Sequence, residues 1–431
     1  MSVSRRQFLM ASGGIAAVAV SGGLTACGSG GSGSADGSAE LTFTWWGNEV
    51  RNANTSEAIA AYQEANPDIT IAEQPGEWAS YWDKLATQTA GNTTPDVIQM
   101  DMAYITEYGS RGALLDLEEH GVDVSKFAEG TVDSGRIDGK LYGVNAGINT
   151  PVILANPELF EEAGMDLPDD TTWTWEEASE IAAELTSKLG DGRFGMASIF
   201  NDVMLSAWLR QNGKELFVPE GLGFGAEDAV GWFELQQSFM EAEAIPGPAQ
   251  ISEDSTKSLD QGDLATGKVA MAQFWSNQVE AVNAASGVTM TMLRFPSTTG
   301  QATDRQAWYK ASMLWSASAR SENPEAAVAL INWWVNSSEA AQANLAERGI
   351  PANTERLEEI TPSLSEDQQG VAAFIAEIEP ELGTTPIAPP PGGGGIGDIM
   401  LRYQLEMLFG RASGADAARG FVEEAAANMK V

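Results

Sequence analysis

From Leu41 onward the chain alternates short apolar strands with amphipathic helices, and that alternation restricts the folds open to it more than any other feature. Residues 41–46, Leu-Thr-Phe-Thr-Trp-Trp, read as a strand broken by Gly47-Asn48, and a helical pattern over 56–65 stops near Pro67. Residues 69–72 form a second strand, 78–89 a second helix and 96–100 a third strand. Strands separated by helices of about 10–15 residues predict an α/β fold with a mostly parallel sheet. The pattern continues with strands at 152–154, 193–198, 269–275 and 288–293 and helices at 203–211, 226–242, 399–408 and 414–429. Chemistry marks several helix starts. Pro157 sits where a missing N–H costs nothing, Thr174 and Glu177 have capping-box spacing, and Asn323-Pro324 opens a helix that runs to Trp334.

The first 38 residues stand outside this alternation. Arg5-Arg6 precedes a soft apolar run at 15–20, then come Leu24-Thr25-Ala26-Cys27 and a Gly/Ser-rich stretch. A charged start, an apolar middle and a small-residue cut site make an export signal. The apolar run is shorter than the roughly 20 residues needed to cross a bilayer, so a permanent membrane helix is not expected. The segment resembles a twin-arginine signal joined to a lipoprotein box. That resemblance implies removal of the signal peptide 1–26 and acylation of Cys27, palmitate included. Residues 27–39 would then be a flexible tether with about 20 Å of reach, and the protein an exported lipoprotein on the outer face of the cell membrane. Cys27 is the only cysteine, so no disulfide forms within the chain.

Beyond the tether the chain is too long for one ordinary core and suits two or three domains. The formal charge is −37, and loss of a leader holding two arginines and no acid takes it to −39. Such a surface repels nucleic acid and phosphate-rich ligands. It would attract a polyamine. His120 is the only histidine, which excludes a His/Cys zinc cluster and a Cys/His nucleophile pair. No Gly-x-Ser-x-Gly elbow, Walker loop or dinucleotide fingerprint occurs, and the Gly392–Gly395 run follows prolines rather than a strand. No cofactor or metal is expected. Carboxylates are abundant, so a secreted glycan-acting enzyme using two of them stays open. The segment 382–398, with Pro386, Pro389-Pro390-Pro391 and the four glycines, reads either as a surface loop or as a pocket edge where bare backbone approaches a ligand.

Thirteen tryptophans are the surplus in this composition. Sugar rings present apolar C–H faces ringed by hydroxyls, so their sites combine flat apolar surfaces with paired polar groups. Trp46 lies beside Gly47-Asn48 and Trp275 beside Ser276-Asn277, at carboxyl ends of strands, where ligands sit in open α/β sheets. Trp173, Trp175, Trp333 and Trp334 fit core packing instead.

Longer stretches carry a family resemblance. Tyr81-Trp82-Asp83-Lys84-Leu85, Thr94-Pro95-Asp96-Val97-Ile98-Gln99-Met100-Asp101 and Gly112-Ala113-Leu114-Leu115-Asp116-Leu117 are its strongest parts. Asp138 through Val144, Asn156 through Gly164, Gly267-Lys268-Val269-Ala270-Met271, Pro324-Glu325-Ala326-Ala327 and Gly349-Ile350-Pro351-Ala352 come after them in order. From about Leu41 to its end the chain resembles the extracellular solute-binding proteins of ABC transporters, in the sugar-binding group that includes maltodextrin-binding proteins. The resemblance implies a periplasmic-binding-protein-like fold of two α/β lobes, several hinge crossings and a ligand cleft between the lobes. Carried onto this chain, lobe 1 is 40–149 plus 288–340 and lobe 2 is 150–287 plus 341–431, with crossings near Asn149 and between Ala285 and Val288.

It also implies a receptor rather than an enzyme: a monomer that binds a neutral mono- or oligosaccharide and delivers it to permease subunits. Trp46, Trp78, Asp101 and Tyr104 would line the first wall, Trp275 and Asn277 the second, with Trp308 and Tyr309 on a late strand returning to the cleft. Asn145 is a further candidate. Arg51 reads either as a fork for hydroxyls or as a surface arginine. Where the family often has a tyrosine before the asparagine, this chain has Ala155-Asn156, which weakens the case for a long maltodextrin-like ligand. A polyamine-binding protein of the same fold is the alternative within the family.

Overall fold

The structure, a computed structural model, describes residues 38–47, 49–128 and 130–429. Cys27, the expected leader and most of the tether lie outside the described residues, as does Asn48.

The strands fall in chain order as β1 (Ala39–Trp46), β2 (Ile69–Gly76), β3 (Val97–Met100), β4 (Arg136–Ile137) and β5 (Lys140–Leu141). Then come β6 (Val144–Asn149), β7 (Pro151–Ala155), β8 (Phe194–Met196), β9 (Phe217–Val218) and β10 (Gly221–Leu222). The last are β11 (Val269–Trp275), β12 (Thr291–Leu293) and β13 (Lys310–Ala317). Two sheets organise the molecule, one in the order β2-β1-β3-β13-β6 and one in the order β12-β7-β11-β8.

The expectation of a mostly parallel sheet needs correction. β1 runs parallel to β2 and β3, and β11 to β8, as crossover helices require. Every pairing of β7 and β13 with β3, β6, β11 or β12 is antiparallel. These two strands stand where the chain passes between the sheets, so they enter their sheet from the opposite end.

The chain leaves the first sheet where β6 ends at Asn149 and enters the second where β7 begins at Pro151. The return comes later than the sequence reading has it. Strand β12 pairs Leu293 with Ile153 in the second sheet, so the whole of 288–340 does not belong to the first lobe, and the chain rejoins the first sheet only at Lys310.

Local chemistry accounts for the helices that frame the cleft. Helices α1 (Glu49–Ala65), α2 (Trp78–Ala90) and α3 (Met102–Ser110) connect the strands of the first sheet. α3 opens on Asp101, whose Oδ1 accepts from the Ala103 N–H at 2.9 Å, as an N-cap does. In the second lobe, α4 (Pro157–Glu162) is capped by Asn156, and α5 (Trp175–Leu189) has the complete Thr174/Glu177 capping box. α6 (Asp202–Gln211) is capped by Asn201, whose Oδ1 accepts from the Met204 N–H at 3.0 Å.

Each lobe has its own core. Phe43 meets Trp45, Trp315 and Trp334 edge-on at 5.0–5.5 Å between β1, β13 and the helix Pro324–Asn336. Trp175, Phe200, Trp208 and Phe239 surround Trp232 and its neighbours on the other side. Trp173, Trp175 and Trp334 are buried, and Trp333 packs half-buried against the first core. No described helix is long and apolar enough to cross a membrane.

Candidate ligand-binding cleft

A cavity of about 500 Å³ opens between the two sheets, within the range of small-molecule sites. Trp46, Trp78, Asp101 and Met102 face it from the first lobe, and Val203, Ser206, Phe217, Trp275 and Asn277 from the second. Asn149, Trp308 and Lys310 line it from the crossing segments, and Pro386, Ile387 and Pro389 from the proline-rich segment. Six residues anticipated from sequence therefore meet in one place: Trp46, Trp78, Asp101, Trp275, Asn277 and Trp308.

The first wall is a braced aromatic cluster. Trp46 ends β1, and its ring meets Trp78 at 5.0 Å, Tyr81 at 5.1 Å and Trp82 at 5.5 Å. Its carbonyl is held from behind by Gln99 Nε2 at 3.0 Å and Arg51 Nη1 at 3.3 Å. The Arg51 stem passes so close that a Cβ on Gly47 would fall 2.4 Å from its Cδ, so only glycine fits there. The Tyr81 hydroxyl donates to the Gln99 carbonyl at 2.7 Å, and burial pushes its phenol pKa up. Trp78, the first residue of α2, stays 47% exposed, so its ring is open to a ligand.

The second wall is more polar. Trp275 ends β11 opposite Pro151, and Asn277 follows in a single turn whose Gln278 Oε1 accepts from the Trp275 N–H at 2.9 Å. Asn149 Nδ2 donates to Asn277 Oδ1 at 2.9 Å, tying the outward crossing to this turn. Two lining atoms are buried with no protein partner, Asn149 Oδ1 and Ser206 Oγ. Buried polar atoms without partners are uncommon and call for an explanation.

Lys310 bridges the walls. Its Nζ lies 3.4 Å from Asp101 Oδ2 and 5.0 Å from the centroid of the Trp275 ring. Asp202, at the start of α6, also lines the cavity. Withdrawal from water pushes its carboxyl pKa up, Lys310 pulls it partly back and Asp398 adds repulsion. Lys310 thus offsets Asp101, and Asp202 is a second acid on the lining.

Four anticipated residues are placed elsewhere. Tyr309 alternates with Trp308 and Lys310 along extended chain, so it points to the opposite face and its hydroxyl donates to the Ile375 carbonyl at 2.8 Å. Tyr104 is turned about the α3 axis from Met102 and Ala103 and stacks on Trp82 at 3.9 Å, bracing the first wall from behind. Asn145 is buried in the first lobe, where Oδ1 accepts from Ser134 Oγ at 3.1 Å and Nδ2 donates to the Thr131 carbonyl. Arg51 pairs with Glu347 at 2.9 Å and serves the Trp46 backbone rather than the cavity.

Sequence reasoning misses Asn149, Ser206, Phe217 and Lys310. Lys310 has a usable signal, since it stands two residues after Trp308 on a strand and must share its face. Ser206 and Phe217 have none, because only the tertiary fold brings 202–217 to the cleft. The proline-rich segment is an irregular loop between helices, and its Pro386, Ile387 and Pro389 line the cavity.

Comparisons agree with this architecture. The family model for bacterial extracellular solute-binding proteins matches residues 57–372. The chain is 27% identical over 237 residues to a lactose-binding protein of Rhizobium radiobacter, covering 53% of this chain and 55% of that one. It is 26% identical over 240 residues to a galactooligosaccharide-binding protein of Bacillus subtilis, covering 53% and 54%. The chain thus spans about half the length of these relatives. A solved periplasmic solute-binding protein from Pectobacterium atrosepticum superposes with a TM-score of 0.81 at 20% identity, over 91% of this chain and 99% of that one. An oligogalacturonide-binding protein from Yersinia enterocolitica superposes with 0.76 at 18% identity, over 91% and 100%. With the family model matched across most of a two-lobed α/β chain, the protein belongs to the bacterial extracellular solute-binding proteins.

Proposed function

We propose that the cleft binds a neutral mono- or oligosaccharide and that the protein delivers it to the permease subunits of an ABC importer. The observation that carries this reading is the pairing of Trp46 and Trp78 on one wall with Trp275 on the other, around the unpartnered Asn149 Oδ1 and Ser206 Oγ. Flat apolar rings suit the C–H faces of a sugar, and the spare polar atoms suit its hydroxyls. The relatives named for lactose and galactooligosaccharides support the same class. A ligand touching both walls stabilises the closed form by its differential affinity for it, and the transporter reads that shape.

On this reading the lobes are 40–149 with 310–360, and 150–309 with 366–431. The protein works as a monomer outside the cytoplasm, held by lipid on Cys27, with the tether giving it reach. It turns nothing over. A polyamine receptor is disfavoured because Asp101 already pairs with the protein's own Lys310.

The test is calorimetric titration of a soluble form beginning near Ser34 against neutral mono- and oligosaccharides, with spermidine as the rival ligand. One-to-one binding of a sugar that is recovered unchanged after hours is the expected result. Binding of spermidine alone, or hydrolysis of the sugar, would overturn the reading.

A further inference from the structure

Arg210 is a buried charge that the cleft lining leaves unexplained. Val203 and Ser206 line the cavity, and Arg210 follows on the same face of α6, one turn past Ser206. It stands behind the lining and is 7% exposed. An arginine taken out of water needs partners for its donors. The carboxylate beside it, Glu215, lies 3.4 Å from Nε and is itself 45% exposed.

The other partners come from two segments far apart in sequence. Nη1 donates to the Gln306 carbonyl at 3.2 Å, and Nη2 donates to the Thr384 carbonyl at 2.5 Å and to Thr384 Oγ1 at 3.1 Å. The guanidinium also lies over the Trp308 ring, 5.6 Å from its centroid.

Both segments reach the cleft a few residues later, outside either main sheet. Gln306 has φ +57°, a left-handed conformation that a side chain disfavours, and Trp308 lines the cavity two residues before β13 begins. Thr384 opens the irregular stretch whose Pro386, Ile387 and Pro389 line the same cavity. The segments are tied to each other as well. Gly383 N–H donates to the Ala307 carbonyl at 2.7 Å, and Thr385 Oγ1 to the Tyr309 carbonyl at 3.1 Å. The fit is close, since a Cβ on Gly383 would fall 3.1 Å from Arg210 Nη2 and 3.1 Å from Gln306 Oε1. One planar fork therefore sets a cleft ring and the apolar rim beside it. Lysine, a point charge on a flexible stem, has no such fork.

We propose that Arg210 is a positioning residue for ligand binding, which touches no ligand and holds Trp308 and the rim 386–389 at the cavity from behind. The proposal rests on the sugar-receptor reading and adds to it the residue through which the second lobe fixes the shape of the site.

The test compares Arg210→Lys, Gly383→Ala and Phe421→Leu with the wild type. Each is titrated calorimetrically with lactose, galactobiose and maltose, and each is followed by hydrogen exchange without ligand. Phe421 packs against Phe224 and Phe233 in the second-lobe core, so its truncation is the control for lost stability. Arg210→Lys is expected to speed exchange at 305–310 and 383–389 about tenfold, leave β1 and β3 at wild-type protection and weaken sugar binding about tenfold. Gly383→Ala pushes the segment off the guanidinium from its other side, and is expected to give the same exchange pattern and about fivefold weaker binding. Phe421→Leu lowers the urea midpoint and leaves affinity within about twofold. Should Arg210→Lys not fold, Gly383→Ala decides by the same two readouts. Wild-type affinity or wild-type exchange at both segments in the folded variants would overturn the proposal and leave the receptor reading intact, as would an equal affinity loss in Phe421→Leu. If none of the sugars binds the wild type, the receptor reading falls and the proposal falls with it.

Discussion

The two walls of the cleft are built on opposite plans. On the first, Trp46 is 8% exposed and held by ring contacts with Trp78, Tyr81 and Trp82, with Tyr104 stacked behind. On the second, Trp275 stands half-buried with the Lys310 ammonium over its ring, and its neighbours Asn277 and Asn149 are joined by a hydrogen bond. The first wall is fixed before any ligand arrives, so it loses little conformational freedom on binding. The second is polar and held by single hydrogen bonds and a cation–π contact, so we expect it to be the wall that adapts. We expect the first wall to act as a rigid stacking platform and the second to adjust to the ligand.

The strongest way to break this contrast is to truncate one ring on each wall. Trp46→Ala removes a core ring as well as a platform; we expect about 3–5 kcal/mol of lost stability in urea denaturation and no measurable sugar binding. Trp275→Ala is expected to leave stability within about 1 kcal/mol and weaken binding about 30-fold, or ~2 kcal/mol. Equal stability losses would show that the walls are alike.

Next comes the support behind the platform. Arg348 is buried and donates to Gln99 Oε1 at 3.0 Å, Asn344 Oδ1 at 2.8 Å and Thr55 Oγ1 at 2.7 Å, while Gln99 holds the Trp46 carbonyl. Arg348→Met strands those three acceptors and is expected to cost about 3 kcal/mol of stability. Sugar affinity should fall with it, through the loosened Trp46. An unchanged affinity in a folded Arg348→Met protein would show that the platform needs no bracing from below.

Which wall is legible from sequence depends on the same contrast. Trp46, Trp78 and Asp101 are readable because each stands at the junction of a strand and a helix, where local pattern and the end-of-strand rule agree. Thr174, Glu177 and Asn156 are readable for a similar reason, since a cap is a short-range hydrogen bond. Tyr309 escapes the reading because one step along a strand reverses the side chain, a parity that no resemblance supplies. Helix α1 starts at Glu49 rather than near 56 because its first turns are polar and give no apolar period. The helices Ser338–Asn344 and Thr354–Ile360 give no clear signal, being seven residues each and fixed by packing against other elements. Glu366–Ile378, by contrast, carries a Ser365/Gln368 capping box and an apolar stripe of Val371, Phe374, Ile375 and Ile378 that a sequence reading could have used. The late return at Lys310 is invisible in sequence because β12 is three residues long and its sheet is chosen by tertiary pairing alone.

A smaller effect concerns the acid behind the adaptable wall. The Asp202 carboxyl pKa is raised above its ordinary 3.8, so between the two values the folded protein holds a proton that the unfolded chain has lost. Stability contributed by this group therefore falls as pH climbs through that window. Asp202→Asn is expected to flatten this part of the pH–stability curve and to raise the denaturation midpoint at neutral pH. A steeper fall in the variant would mean that the carboxylate is stabilised by its surroundings.

The smallest expected effect discriminates most finely between ligands. Lys310 joins the two walls through a partly exposed ion pair and a cation–π contact, each worth about 1 kcal/mol or less. If the ligand is uncharged, Lys310→Met frees the Trp275 ring while releasing Asp101 to accept from a hydroxyl. The two changes offset, and affinity moves less than about threefold at any salt concentration. If the ligand carries a carboxylate, Lys310 is its counter-charge; Lys310→Met would then lower affinity by about a hundredfold and abolish its salt dependence. Titrations at low and high salt on this one variant separate a neutral sugar from an acidic one, and they show whether Lys310 serves the ligand or holds the second wall's place until the ligand comes.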